Sequence, residues 1–209
     1  MLHDWILNFL IAVPGILWAM SVHEFAHGYV AYKLGDHTPK LAGRLTLNPL
    51  AHIDILGFIA LFLIHFGWAK PVPVNPRNFR RAPSWKVGEI LVALAGPLAN
   101  FLSAFLLVLF LKYFPFSALP PSITEPLFLM VKYAIFINVA FGIFNLLPVP
   151  PLDGSKIVEV LLPPKLWIKY KQIEPYGPIV LIILLISPVL NWILIPLVNG
   201  MVKAMFLLT

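Results

Sequence analysis

The chain contains no cysteine among its 209 residues, and only 11% of its residues are charged. The absence of cysteine excludes disulfide bonds and thiolate metal ligands. A soluble globular domain has about a quarter of its residues charged, and no stretch here is polar enough to fold as a separate soluble domain. Because 60% of the residues are hydrophobic and form long apolar runs, the sequence predicts one membrane-embedded domain over residues 1–209.

The net charge of +6 does not indicate nucleic-acid binding, because the basic residues cluster beside apolar runs. Such clusters are typical of cytoplasmic loops, and they also attract anionic lipid headgroups. The partners that this pattern predicts are therefore the lipid bilayer and no nucleic acid. The clusters are Arg77, Arg80, Arg81 and Lys86, and then Lys165, Lys169 and Lys171.

The apolar runs predict an all-α polytopic membrane protein. The first run, residues 5–34, predicts a long helix that is kept as a membrane span and not cleaved as a signal peptide. Gly35 is its predicted C-cap. Two further spans cover residues 86–114 and 125–147, and these three helices form the predicted core. Residues 178–208 are apolar but contain two prolines, so they form either one kinked span or a tight helical hairpin.

Two segments are not predicted to span the membrane. Residues 36–50 mix turn formers with alternating leucine and polar residues, which predicts a small extended or hairpin element. Residues 53–67 are apolar but shorter than the roughly 20 residues that a spanning helix needs. The predicted core covers about residues 5–160, and the C-terminal membrane segment covers about residues 176–208.

The HEFAH motif at residues 23–27 lies on the first predicted helix. His23 and His27, four residues apart, lie on one helical face, where their imidazoles can converge on one Zn²⁺. Glu24 follows the first histidine, where it can take a proton from a water that the metal activates. His23 lies about 16 Å from the helix end, so an ionisable cluster facing lipid would cost several kcal/mol. A purely structural cluster is the alternative.

A zinc site of this kind needs a third protein ligand and an open fourth position. Asp153 differs from the other candidates because it follows a span directly, within NLLPVPPLDG at residues 145–154. Irregular backbone at membrane depth is tolerated only inside protein or beside a water-filled cavity. Taken alone, Asp153 is equally a helix N-cap or a ligand. The other histidines and aspartates lie in loops or at helix ends: His3, His37, His52, His65, Asp4, Asp36 and Asp54.

The two motifs together, HEFAH in an early span and NLLPVPPLDG after a later one, closely resemble those of the site-2 protease family of intramembrane zinc metalloproteases, peptidase family M50. AGPLAN at residues 95–100 and GWAKPVPVNPR at residues 67–77 resemble its short bacterial-type branch. The resemblance covers about residues 20–160, and this part contains no inserted PDZ-like domain.

The resemblance implies that His23, His27 and Asp153 bind zinc. It also implies that Glu24 is the catalytic base and acid and that Asn145 supports the developing oxyanion. The implied activity is hydrolysis of peptide bonds within or near transmembrane segments of membrane proteins. The implied location is a bacterial cell membrane.

Two other functions remain open. A polytopic transporter or channel could use His23, Glu24 and His27 as an ion site, although we find no internal repeat of the kind that transporters contain. A catalytically inactive scaffold is the second alternative, and the intact Glu24 argues against it. Asn100 and Asn138, which also lie within spans, are expected to form interhelical hydrogen bonds.

The predicted ligands also constrain the topology. A shared zinc ion requires His23, His27 and Asp153 to lie at the same side of the membrane. This holds if residues 53–67 do not cross, because the two following spans then return the chain to its starting side. Basic residues on both sides of this segment favour the cytoplasm. We therefore expect residues 53–67 to be re-entrant or a partial helix, the site to lie nearer the cytoplasmic face, and the N-terminus to lie outside.

Overall fold

The computed structural model describes the backbone of residues 2–64 and 67–209 and the side chains of residues 7–63 and 67–209. Within this part of the chain, all the regular elements are helical, as predicted. The α-helices in chain order are α1 (Leu2–Lys33), α2 (Thr38–Leu41), α3 (Ile55–Ile64), α4 (Trp85–Tyr113), α5 (Pro121–Asn145), α6 (Asp153–Leu161), α7 (Pro164–Ile173), α8 (Gly177–Ile186) and α9 (Pro188–Leu208). Four of these described helices, α1, α4, α5 and α9, are long and apolar enough to cross a membrane. The chain is a multi-pass membrane protein.

Helices α1, α4 and α5 pack against one another and form the core, and α9 packs on α5 and α4. Gly15 permits the close approach of α1 to α5, because a Cβ there would lie 2.9 Å from the Cα of Ala134. The core also contains buried amides. The Nδ2 of Asn100 donates to the carbonyl of Ala19 at 2.9 Å and to the Oδ1 of Asn138 at 3.1 Å. The expected interhelical hydrogen bonds of these two asparagines are therefore confirmed.

The end of α1 also agrees with the sequence. The helix ends at Lys33, and Gly35 has a φ of +108°. The Gly35 N–H donates to the carbonyl of Tyr32, and the Asp36 N–H donates to the carbonyl of Ala31. This pair of hydrogen bonds is a Schellman motif, in which a residue without a Cβ is favoured at the left-handed position.

The prediction of an extended or hairpin element over residues 36–50 was wrong. This segment contains the short helix α2 and ends in a 3₁₀ turn over Pro49–Ala51. Side chains at the start of each turn explain the difference. Asp36 accepts hydrogen bonds from the N–H and the hydroxyl of Thr38, and Asn48 accepts one from the Leu50 N–H. Such local bonds to the backbone compete with strand pairing.

The segment over residues 53–67 is a partial helix, as predicted. Helix α3 has 10 residues, a length of about 15 Å, which is half the hydrocarbon thickness of a bilayer. Ile53 forms an isolated antiparallel bridge with Ala69, and the Lys70 N–H donates to the His52 carbonyl at 2.9 Å. The two ends of the segment therefore lie side by side, so α3 and its flanking residues form a closed loop. Residues 65 and 66 lie outside the described residues.

The C-terminal apolar region is divided unequally. Helix α8 has 10 residues and ends at Ile186, and α9 has 21 residues. Ser187 between them is extended, with φ −78° and ψ 148°, and Pro188 opens α9. The second proline, Pro196, lies inside α9. Of the two elements, only α9 is long enough to span a membrane.

Candidate functional site

The two histidines of the HEFAH motif lie on one face of α1 and are buried, with 3% and 8% of their surfaces exposed. Their Nε2 atoms are 3.0 Å apart. The Nδ1 of His23 lies 2.8 Å from the Oδ1 of Asn100, and the Nδ1 of His27 lies 2.7 Å from the Val92 carbonyl. Because both of these partners are acceptors, each Nδ1 carries the proton in the neutral ring. Each Nε2 then presents a lone pair, as a metal ligand must.

Asp153 is the first residue of α6 and completes the group. Its Oδ2 lies 3.1 Å from the Nε2 of His23 and 3.1 Å from the Nε2 of His27. Zinc binds a carboxylate side chain through its oxygen, and this Oδ2 is the oxygen that faces the two Nε2 atoms.

The donor set fits zinc. Ligands about 2.0–2.1 Å from a tetrahedral Zn²⁺ are about 3.3 Å from one another, and the three edges here measure 3.0, 3.1 and 3.1 Å. The Oδ2 of Asp153 is buried and makes no hydrogen bond to any residue that the structure describes. Two imidazole lone pairs and a carboxylate oxygen at this separation repel one another unless a cation lies between them. Among the described side chains, His23, His27 and Asp153 are the group that could hold a metal ion.

Glu24 lies beside this triangle without belonging to it. Its Oε2 accepts a hydrogen bond of 2.8 Å from the Val72 N–H, 48 residues along the chain. This backbone donor comes from the extended stretch that follows α3. Glu24 therefore has one oxygen held by the protein, and the carboxylate borders the same cavity as the two histidines.

The cavity beside these residues has a volume of about 430 Å³. One wall is formed by the loop over residues 70–78 together with Phe79 after it, and further lining residues come from α4 and from the start of α6. Two charged side chains on these walls, Glu89 and Lys156, were not singled out by the sequence. The lining residues are His23, Glu24, His27, Pro71, Val72, Val74, Pro76, Phe79, Glu89, Val92, Asn145, Pro151, Asp153 and Lys156.

Asn145 is the last residue of α5 and lines the same cavity, with 8% of its surface exposed. Its Nδ2 donates to the Phe141 carbonyl at 2.9 Å. An amide nitrogen carries two protons, so this bond leaves one N–H for another acceptor. The structure thus brings Asn145 to the site, and its role in supporting an oxyanion stays a prediction.

The remaining histidines and loop aspartates do not join the triangle in the described part of the chain. His52 is buried, and its Nε2 lies 2.8 Å from the Thr46 carbonyl. The ring of His37 packs edge-on against Tyr32. The side chain of His3 and the whole of His65 lie outside the described residues.

Sequence reasoning missed two features that position the metal ligands. A Cβ at Gly96 would lie 2.5 Å from the Nε2 of His27 and 2.6 Å from the Cε1 of His23, so only glycine lets α4 approach the imidazoles this closely. Asn100 was expected only to bridge helices, but it also orients His23. A glycine inside a spanning helix, one turn before an intramembrane asparagine, was the available signal.

A buried His–His–Asp triangle formed by α1 and α6, with a glutamate beside it, lies in a chain with four helices long and apolar enough to cross a membrane. These features define a membrane protein with a metal site of the metalloprotease type. The model for peptidase family M50 matches residues 120–186. The chain is 41% identical over 189 residues to "Putative zinc metalloprotease YwhC" of Bacillus subtilis, an alignment that covers 88% of this chain and 84% of the relative. The chain belongs to peptidase family M50.

Two other relatives extend this comparison. "Putative zinc metalloprotease Rip2" of Mycolicibacterium smegmatis is 31% identical over 195 residues, which cover 88% of this chain and 69% of the relative. "Putative zinc metalloprotease MJ0611" of Methanocaldococcus jannaschii is 30% identical over 154 residues, which cover 74% of this chain and 72% of the relative. No solved structure matches the chain. The family and these names make the chain a zinc metalloprotease by relationship.

Proposed function

We propose that the chain is an intramembrane zinc endopeptidase that hydrolyses peptide bonds within or near transmembrane segments of other membrane proteins. The observation that carries this proposal is the position of Glu24, which shares one cavity with the three converging ligand atoms of His23, His27 and Asp153. This cavity lies among helices long and apolar enough to span a membrane. An apolar, locally unwound segment is the substrate that such a location suits, because a helix hides its carbonyls.

The chemistry that zinc supplies when bound by His23, His27 and Asp153 is Lewis-acid activation of the scissile carbonyl and of a water. Glu24 takes a proton from that water while the water oxygen attacks the carbonyl carbon. The C–N bond then breaks, and Glu24 returns the proton to the leaving amine. The Val72 N–H holds one oxygen of Glu24 during both transfers. The second N–H of the Asn145 amide is the donor proposed for the developing oxyanion.

We further propose that the protein lies in a bacterial cell membrane with this site nearer the cytoplasmic face. The support is the distribution of basic residues. Lys33, Lys40 and Arg44 precede the partial helix α3, and the cluster from Lys70 to Lys86 follows it. Positive loops favour the cytoplasm. The lipid bilayer and the transmembrane segment of a protein substrate are the proposed partners.

The test is cleavage of a purified transmembrane peptide in detergent or vesicles by the zinc-loaded chain. Glu24→Gln should abolish cleavage and keep the metal, because Glu24 is not one of the three ligands, whereas His23→Ala should lose both. Glu125→Gln is the matched control, because Glu125 is exposed near the start of α5, and it should leave cleavage unchanged. Substantial cleavage by Glu24→Gln would show that the proposed proton transfer is wrong.

A further inference from the structure

The loop over residues 70–78 forms one wall of the cavity, yet its only regular element is a short 3₁₀ turn over Pro76–Asn78. Three prolines in it, Pro71, Pro73 and Pro76, have no N–H and cannot join a strand ladder. A wall of this kind has no sheet to hold it. Its backbone is instead fixed at three points by side chains from other parts of the chain.

The first point is Arg44, a cationic side chain with only 7% of its surface exposed. Its guanidinium donates to the carbonyls of Ala51, Lys70 and Pro71. The Ala51 carbonyl precedes α3 in the chain, and the carbonyls of Lys70 and Pro71 follow it. Arg44 therefore joins the start of the wall to the chain before α3.

The second point is Asp36, which is completely buried. Its Oδ2 accepts a hydrogen bond of 2.7 Å from the backbone N–H of Asn75, and its Oδ1 accepts one of 2.9 Å from the side-chain Nδ2 of Asn78. Burial acts to raise the pKa of Asp36, but the hydrogen bonds from Asn75, Asn78 and Thr38 outweigh burial and lower the pKa. Asp36 thus carries a negative charge just past the end of α1, the helix that contains Glu24.

The third point lies between the other two, where the Val72 N–H donates to Glu24. Because the residues on both sides of Val72 are prolines, Val72 carries the N–H nearest to Glu24 along this stretch. The direction of that N–H depends on how the loop is held at each end. Arg44 holds the loop at the Pro71 carbonyl, one residue before Val72. Asp36 holds the loop at the Asn75 N–H, three residues after Val72.

We propose that Asp36 and Arg44 are positioning residues for peptide hydrolysis, which hold the 70–78 loop so that the Val72 N–H orients the Glu24 carboxylate. Neither side chain lines the cavity, so both act through the loop. Misplacement of a reacting group by about 1 Å costs on the order of 100-fold in rate. The proposal rests on the proposed proteolytic function, and the test therefore includes a measurement that needs no activity.

Asp36→Asn is the test variant, because it keeps the shape of the side chain but replaces a carboxylate oxygen with an amide nitrogen, which cannot accept a hydrogen bond. Asp54→Asn is the matched control. Asp54 also accepts a backbone N–H, that of Gly57, at 2.9 Å, but this bond lies at the start of α3. We expect Asp36→Asn to keep its zinc and to lower kcat by about 10- to 100-fold with a smaller change in KM. Asp54→Asn should keep kcat within about twofold.

A double-mutant cycle with Val72→Pro tests whether Asp36 acts through the Val72 N–H, because this change removes the N–H that donates to Glu24. If Asp36 acts through that N–H, Asp36→Asn should add little to the loss already caused by Val72→Pro. Additive losses, or loss of zinc in Asp36→Asn, would overturn the proposed role.

The measurement that needs no activity uses Val72→Cys, which introduces the only thiol in the chain and keeps the backbone N–H. Val72 is buried, so a maleimide should label this thiol slowly, and adding Asp36→Asn should raise the labelling rate at least about tenfold. Adding Asp54→Asn should not. Equal labelling rates would refute the positioning role even if cleavage is observed. Faster labelling in a chain that cleaves no peptide would support the role and refute the proteolytic function.

Discussion

Gly96→Ala adds one methyl group where α4 meets the metal ligands. The new Cβ would lie 2.5 Å from the Nε2 of His27 and 2.6 Å from the Cε1 of His23, against 3.4 Å or more in ordinary contacts. The rings or the helices must therefore separate by almost 1 Å, whereas metal–ligand distances tolerate only about ±0.2 Å. Overpacking of this kind costs about 1–3 kcal/mol, and each 1.4 kcal/mol is a factor of ten in affinity. We expect zinc affinity to fall about 10- to 100-fold.

The assay is competition for zinc between the purified chain and a chromogenic chelator, together with the metal content after dialysis. Gly200→Ala is the matched control, because Gly200 also lies in a helix long enough to span a membrane, and a Cβ there has no described atom within 4 Å. This control should keep full zinc affinity and gain a few tenths to 1 kcal/mol of helix stability. If Gly96→Ala bound zinc as tightly as the wild-type chain, the close approach of α4 to the imidazoles would not be a requirement of the site.

Three further predictions concern the ligands and the topology. Asp153→Asn should weaken zinc binding in the same chelator assay, because a neutral amide is a poorer ligand than a carboxylate, and unchanged affinity would mean that another group completes the site. Asn145→Ala should lower kcat by about 10²–10³-fold while zinc content stays near one per chain, and an unchanged kcat would leave Asn145 as a packing residue. Single cysteines at Leu50 and Arg77 should both react with an impermeant reagent from the cytoplasmic side, with Ser117→Cys as the control that reacts from the other side; opposite reactivity at the first two positions would contradict the topology.

The parts of the site that the sequence predicted are those set by local spacing. His23 and His27 lie on one face because an α-helix repeats every 3.6 residues, and the same helix places Glu24 beside the pair. Asp153 was predicted from its motif and its position just after a span, and the structure brings it to the two histidines. The lengths of the long apolar runs similarly predicted the helices that span the membrane.

The parts that the sequence did not predict depend on contacts between distant residues. Alternating leucine and polar residues favoured an extended element over residues 36–50. Instead, Asp36 accepts a hydrogen bond from the N–H of Thr38, the first residue of α2, and Asn48 caps the 3₁₀ turn. Two hydrogen bonds between distant residues hold the loop that forms the wall of the cavity. The Asn75 N–H donates to Asp36, 39 residues away in the sequence, and the Val72 N–H donates to Glu24, 48 residues away. Neither pairing follows from a periodicity, because each depends on how the loop after α3 returns to α1.

The path of the chain through α3 is what allows the three ligands to meet. The histidines lie toward the C-terminal end of α1, and Asp153 lies just past the C-terminal end of α5. If the segment between Ile53 and Ala69 crossed the bilayer, the chain would cross three times between the two motifs, and Asp153 would emerge on the opposite side from the histidines. The bridge between these two residues instead closes the segment on itself. This leaves α4 and α5, each long and apolar enough to cross once, as the two expected crossings. An even number of crossings returns Asp153 to the histidines, so the shortness of α3 is a requirement of the metal site.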